Sequence, residues 1–195
     1  MSPDPSSFLG NCDVIDCRSP EVVRLAANLA DVDEIATSEL CFRFVRDNIK
    51  HSSDYRLNPV TCSASAVLAH GTGYCYAKSH LLCALLRANN IPAGLCYQRL
   101  SINGIGSPYC LHGLNAVCLP DVGWYRIDSR GNRDSINAQF TPPKERLAFT
   151  TELPGEYDLP GIFVSPLSNI VEALRKFDTW DALYENLPDA LQPLT

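Results

Sequence analysis

The stretch from Gly71 to Pro92, GTGYCYAKSHLLCALLRANNIP, constrains this chain more than any other. Leu81, Leu82, Leu85 and Leu86 form one apolar stripe at helical spacing, and Ala77 and Ala84 favour a helix. Asn89 and Asn90 can take a left-handed cap, and Pro92 cannot continue the helix. The pattern predicts a buried helix with Cys75 in its first turn, led in by Gly71 and Gly73. The first N–H groups of a helix have no intrahelical partner, and the macrodipole adds about half a positive charge there. Such a position favours thiolate over thiol. Cys75 is therefore a candidate nucleophile. Cys83, two turns further along the same stripe, reads as a core thiol.

The elements on either side set the fold class. Residues 1–18 read as irregular. Ser19-Pro20 opens a helix that buries Val22, Val23, Ala26 and Leu29 and ends near Asp31. A second helix, from about Asp33 to Ile49, turns Ile35, Leu40, Cys41, Phe44, Val45 and Ile49 to one face. His51 to Thr61 reads as a polar loop, with His51 and Asp54 as structural contacts within it and a place along the cleft as the alternative. Ser63 caps a short helix carrying Ala64, Val67 and Leu68. After Pro92 the pattern changes to strands: Ala93–Leu100, Tyr109–Leu119 and Trp124–Asp128, with Trp124 in the core. Ile136–Phe140 and Arg146–Thr150 are candidates for a fourth and a fifth strand. Short connections make such neighbours antiparallel. Residues 151–165 wrap the surface, and Ser168–Phe177 and Thr179–Leu187 close the chain as helices. Helices followed by a run of strands predict an α+β fold. The expectation is one domain over residues 1–195, with its core at about 19–150 and C-terminal helices at about 166–187.

Composition excludes several function classes. With 195 residues, a net charge of −6 and no basic run, the chain is not expected to partner nucleic acid or an anionic membrane. No apolar run reaches the length of a membrane span, and the first residues lack a signal-peptide pattern. Nine cysteines, an odd number and several inside apolar elements, read as free thiols in a reducing cytoplasm. No CxxC occurs, so neither a structural metal site nor a dithiol redox centre is expected, and no cofactor is required.

A cysteine nucleophile needs a base and a group to orient that base. Four histidines are available: 51, 70, 80 and 112. His80 lies five residues beyond Cys75, about 140° around the helix, and so faces away. His51 and His70 lie upstream. His112 is in the second strand and Asp128 ends the third. If these strands are neighbours, the two side chains face each other across the ladder, and the Cys75 end of the helix packs against them. The turn-rich loop Ser101–Pro108, just before the His112 strand, is placed to gate such a cleft.

The motifs GTGYCYAKSHLLCALLRANNIPAG, HGLNAV and GWYRIDSRGN, in that order, resemble the transglutaminase-like superfamily, as does the lead-in FVRDNIKHSSDYRLNPVTCSASAVLAHG. The likeness covers roughly residues 40–135 and is similar to the small bacterial stand-alone members. It implies a papain-like core with Cys75 as nucleophile, His112 as base and Asp128 as orienter. It further implies attack on a carboxamide carbon of a peptide or protein substrate, a thioester, and release to water or an amine. One departure is Leu114, where family members often carry an aromatic two residues after the histidine. A non-catalytic binding protein on the same fold is the alternative expectation.

Overall fold

The computed structural model describes residues 3–190. Its centre is the helix α5, Cys75–Ala88, in which every residue from Cys75 to Arg87 is buried. Three helices pack around it: α1 (Pro20–Leu29), α2 (Glu34–Asn48) and α4 (Ala64–His70). Pro20 sits in the first turn of α1. Asp33 caps α2, its carboxylate accepting the Ala36 N–H at 2.7 Å, and Ser63 caps α4 through the Ala66 N–H at 3.2 Å. α4 ends on Gly71, whose φ of 64° is open to glycine at little cost. The inward faces differ in detail from the expected ones. In α1 Val22 and Ala26 are buried while Val23 is largely exposed. In α2 Phe42 is buried and Leu40 is at the surface.

The other face of α5 lies on an antiparallel sheet of β3 (Ala93–Ser101), β4 (Tyr109–Leu119), β5 (Gly123–Ile127) and β6 (Tyr157–Asp158), in the order β5-β4-β3-β6. Asn115 of β4 is fully buried and donates to the Ser79 carbonyl of α5 at 2.9 Å and the Gly94 carbonyl of β3 at 3.2 Å. Side chains alternate across the strand. Odd-numbered β4 residues such as Gly113 and Asn115 meet α5, while Leu114 and Ala116 form a separate small cluster with Cys96, Trp124 and Leu147. Trp124 is thus on the outer face, edge-on to Phe8 at 4.7 Å, and only half-buried. A Cβ at position 113 would meet the Tyr76 Cα at 3.0 Å, so glycine there lets β4 and α5 approach.

Several expectations are corrected. Residues 136–140 and 146–150 are not strands: only isolated bridges, Arg133 to Ile136 and Gln139 to Arg146, occur there. Their backbone groups are held by side chains instead. Asn132 bonds both the N–H and the carbonyl of Ala138, and Asp128 accepts the Ala148 N–H. The sheet's outer strand on the β3 side comes from Tyr157–Asp158, within the segment read as a surface wrap. The supposed loop after residue 50 contains a short helix, α3 (Ser52–Tyr55), and a two-residue strand β1 (Lys50–His51) paired in parallel with β2 (Thr72–Gly73). The first residues contain a 3-10 turn, Pro5–Leu9, capped by Asp4. Two closing helices are present as α6 (Ser168–Lys176) and α7 (Trp180–Tyr184). No described helix is long and apolar enough to cross a membrane, and all nine cysteines are free thiols.

Candidate active site

β5 stops at Ile127, opposite Asn115, so β4 runs on beyond it towards Leu111 with one edge open. The N–H groups of Leu111 and Gly113 point from that edge. Gly113 donates to the Cys75 sulfur at 3.5 Å. Cys75 therefore reaches the sheet at the side of β4, from the first turn of α5. His112, the intervening residue, lies on the outer face with Leu114, and so does Asp128, one residue past β5. Strand alternation puts them on the same side, as the ladder requires. His112 Nε2 lies 2.8 Å from Asp128 Oδ2. This leaves Nδ1 as the ring nitrogen open to the sulfur. The structure thus brings all three expected side chains to one point, though α5 and the His112–Asp128 pair occupy opposite faces and meet around an edge.

The site is buried: Cys75 is 7% exposed, His112 4% and Asp128 1%. Burial alone would lower the His112 pKa. The Asp128 carboxylate, the Cys75 sulfur and hydrogen bonds to both outweigh it and hold the imidazole up at about 10. Burial would raise the Asp128 pKa, but His112 and two backbone donors keep it below the usual carboxylate range. Those donors are the Arg130 N–H on Oδ1 and the Ala148 N–H on Oδ2, each at 3.1 Å. Asp128 is thereby fixed as an acceptor, and His112 is stabilised as imidazolium beside the sulfur.

Further residues form a support, and its pairings are not readable from the sequence. Asp54 of α3 accepts a bidentate fork from Arg130 at 2.7 and 2.9 Å, plus Arg133 at 3.1 Å. Arg130 is largely buried and its guanidinium lies 5.6 Å over the Phe149 ring. Phe149 in turn stands edge-on to His112 at 4.9 Å. Asp54 thus clamps the residue whose N–H holds Asp128. Tyr76 donates its hydroxyl to the Leu111 carbonyl beside His112. Charge at positions 54 and 130 gives no local signal of this pairing, since 76 residues separate them.

The other histidines lie elsewhere. His80 is buried with Nδ1 on the Cys62 carbonyl at 2.8 Å, and burial pushes its pKa down to about 4. His51 is buried on β1, edge-on to Tyr74 at 5.5 Å, and bonds Ser53 at 3.1 Å. Burial, with the charges of Arg130, Lys78 and His112, pushes its pKa well below the usual histidine range. His70 ends α4 at the surface. No cluster among the described residues is placed to hold a metal ion.

A helix N-terminal cysteine, a strand histidine and an aspartate after the next strand define an α+β fold of the papain-like class. Residues 24–129, over half of the chain, match the transglutaminase-like superfamily, and the chain belongs to it. Among solved structures it is similar to a candidate cysteine protease from Cytophaga hutchinsonii, with a TM-score of 0.51 at 18% identity, covering 67% of this chain and 43% of that one. The periplasmic domain of TgpA from Pseudomonas aeruginosa matches with a TM-score of 0.47 at 20% identity, covering 66% and 48%. A curated relative, the CMP-5'-(3-aminopropyl)phosphonate synthase of Streptomyces rubellomurinus, is 28% identical over 92 residues, or 43% of this chain. The chain spans only 14% of that relative's length.

Proposed function

We propose that this chain is a cysteine-dependent amide hydrolase or acyltransferase acting on peptide or protein carboxamides in a reducing, cytoplasmic compartment. The observation that carries the reading is the 2.8 Å His112–Asp128 bond on the strand whose next residue, Gly113, donates to the Cys75 sulfur. In this reading the Cys75 thiolate attacks the carboxamide carbon and its electron pair moves onto the carbonyl oxygen. The Cys75 backbone N–H, free at the start of α5, is one donor for that oxyanion. As the oxyanion collapses, His112 Nδ1 gives its proton to the departing amine and a thioester remains. His112, now neutral, takes a proton from water or an acceptor amine as either attacks the thioester. Asp128 holds the imidazole in one orientation throughout and supports its charge.

Iodoacetamide at limiting concentration near pH 6 tests the reading. Cys75 is expected to be carbamidomethylated ahead of the other eight cysteines, and His112→Ala to slow it. Slow labelling spread over all the thiols, or labelling indifferent to His112, sinks the enzyme reading and leaves a binding protein on this fold.

A further inference from the structure

The buried state of Cys75 raises the question of what covers it. One segment close to it has no part in the chemistry above: Thr179 to Ala190, comprising α7 and the run after it. Near its start, Tyr74, the residue before Cys75, donates its hydroxyl to the Trp180 carbonyl. The Trp180 N–H donates to Asn58 Oδ1 at 2.7 Å, and Leu183 is buried in the main core. Near its end, Leu111, the residue before His112, donates its N–H to the Pro188 carbonyl at 2.7 Å. Arg99 of β3 forks onto the Asp189 carboxylate at 2.7 and 2.6 Å, and Asn169 donates to the Asp189 carbonyl at 3.0 Å. The segment is fastened to the neighbour of the nucleophile on one side and to the neighbour of the histidine on the other.

The second fastening is a main-chain bond on the open edge of β4. Leu111 and Gly113 present their N–H groups from this edge; the first meets Pro188 and the second meets Cys75. Two residues along a strand span about 6.8 Å, the length of about two extended residues of a docked peptide. An edge with unpaired donors is a template for an extended chain. Here the protein's own chain supplies one carbonyl, that of Pro188, at the donor two residues before the one that meets the sulfur.

We propose that residues 186–190 occupy, in place of substrate, the β4 edge on which an extended acyl-donor peptide docks its main chain beside Cys75, and that they lift when such a peptide binds. The proposal rests on the reading of Cys75 as the nucleophile. The peptide carbonyl takes over the Leu111 N–H, which leaves the backbone bond count unchanged. The latch is the Arg99–Asp189 pair, whose side chains are 20% and 37% exposed, and such a pair is breakable at small cost. Leu183 is buried in the core and keeps α7 in place, whereas Leu187 and Ala190 are only half-buried against it and leave with the segment, so the hinge falls at the exposed residues Tyr184, Glu185 and Asn186.

The test uses the full chain, wild type and Asp189→Ala, with two reagents: a carbobenzoxy-dipeptidyl chloromethyl ketone and iodoacetamide. Opening the latch is expected to raise the rate of Cys75 modification by the peptidyl reagent about fivefold, the worth of one partly exposed charge pair. The iodoacetamide rate should rise less than about twofold, since a small reagent makes no main-chain bond to the edge. In the wild type, hydrogen exchange over residues 185–190 is expected to be faster in the peptidyl adduct than in the carbamidomethyl adduct. Equal peptidyl rates in the two proteins, or exchange indifferent to the adduct, overturns the proposal. If Cys75 still reacts first with iodoacetamide in a His112-dependent way, the nucleophile reading stands without the strap. If Cys75 reacts no faster than the other thiols, the nucleophile reading falls and takes the strap with it.

Discussion

Cys75 and Cys83 lie on one helix, eight residues apart, and both are buried. Cys83 Sγ donates to the Ala93 carbonyl at 3.2 Å in the core, and burial pushes its pKa up to about 12. Cys75 is met by the Gly113 N–H and lies beside a histidine held as imidazolium by Asp128. Burial is thus shared, and the neighbours differ: one sulfur faces an acceptor, the other a donor and a cation. What separates a core thiol from a candidate nucleophile here is the open edge of β4, where a backbone N–H and a charged ring reach the helix end.

The sharpest way to break this contrast is to exchange the two thiols for alanine in turn. Cys75→Ala is expected to remove at least about 10³-fold of any amide turnover, read as a loss of the acyl-enzyme in mass spectra. Cys83→Ala should leave iodoacetamide labelling of Cys75 unchanged and cost about 1 kcal/mol in urea denaturation. A large labelling change in Cys83→Ala would mean that the helix as a whole, rather than its end, sets the reactivity. The apolar part of the contrast is probed by Leu82→Ala. Leu82 is fully buried, and the change should destabilise the fold by about 2–5 kcal/mol with little effect on Cys75 labelling.

The polar part is probed by Asp128→Asn, which should slow Cys75 alkylation near pH 6 by about tenfold or more, because the ring loses both the carboxylate that orients it and the charge that steadies it as imidazolium. Its stability effect depends on pH. The folded His112 pKa, about 10, stands above its ordinary value of 6.5. The stabilisation is therefore full below about pH 6.5 and is lost as pH rises through about 10. The denaturation gap between wild type and Asp128→Asn should be wide at pH 6 and narrow at pH 10. A constant gap would deny the coupling. The smallest effect is expected from Asp54→Asn. It loosens Arg130 and, through the Arg130 N–H, the seat of Asp128, and should slow labelling about threefold, the worth of a partial loss of one polar contact.

How much of this was legible in the sequence follows from which forces act locally. α5 and strands β3 to β5 were, because apolar periodicity records burial directly. The convergence of Cys75, His112 and Asp128 followed from strand adjacency and alternation. Residues 136–150 were misread because their β-like composition serves side-chain bonds from Asn132 and Asp128, which periodicity does not encode. The Arg130 partner of Asp54 and the Pro188 contact of Leu111 leave no local sign for a related reason. The paired residues lie 76 and 77 residues apart, and a main-chain bond such as Leu111 to Pro188 leaves no trace in side-chain identity. An aromatic in a strand gives no sign of which face it occupies, and Trp124 lies on the outer one.

Lys78, one turn past Cys75, has a consequence of its own for proton uptake on unfolding. Its ammonium is buried under the last turn of α2, donating to the carbonyls of Ile49 and Arg46. Burial, with the charge of Arg130, brings its pKa down from 10.5 to about 7. Between about pH 7 and 10 the unfolded chain therefore holds a proton at this lysine that the folded chain has released. His112 does the reverse over nearly the same interval. One residue makes the fold firmer as alkali is added and the other makes it weaker, so the two contributions oppose each other across that range. Lys78→Met takes away one side of this balance, and its denaturation midpoint should fall more steeply with rising pH than that of the wild type.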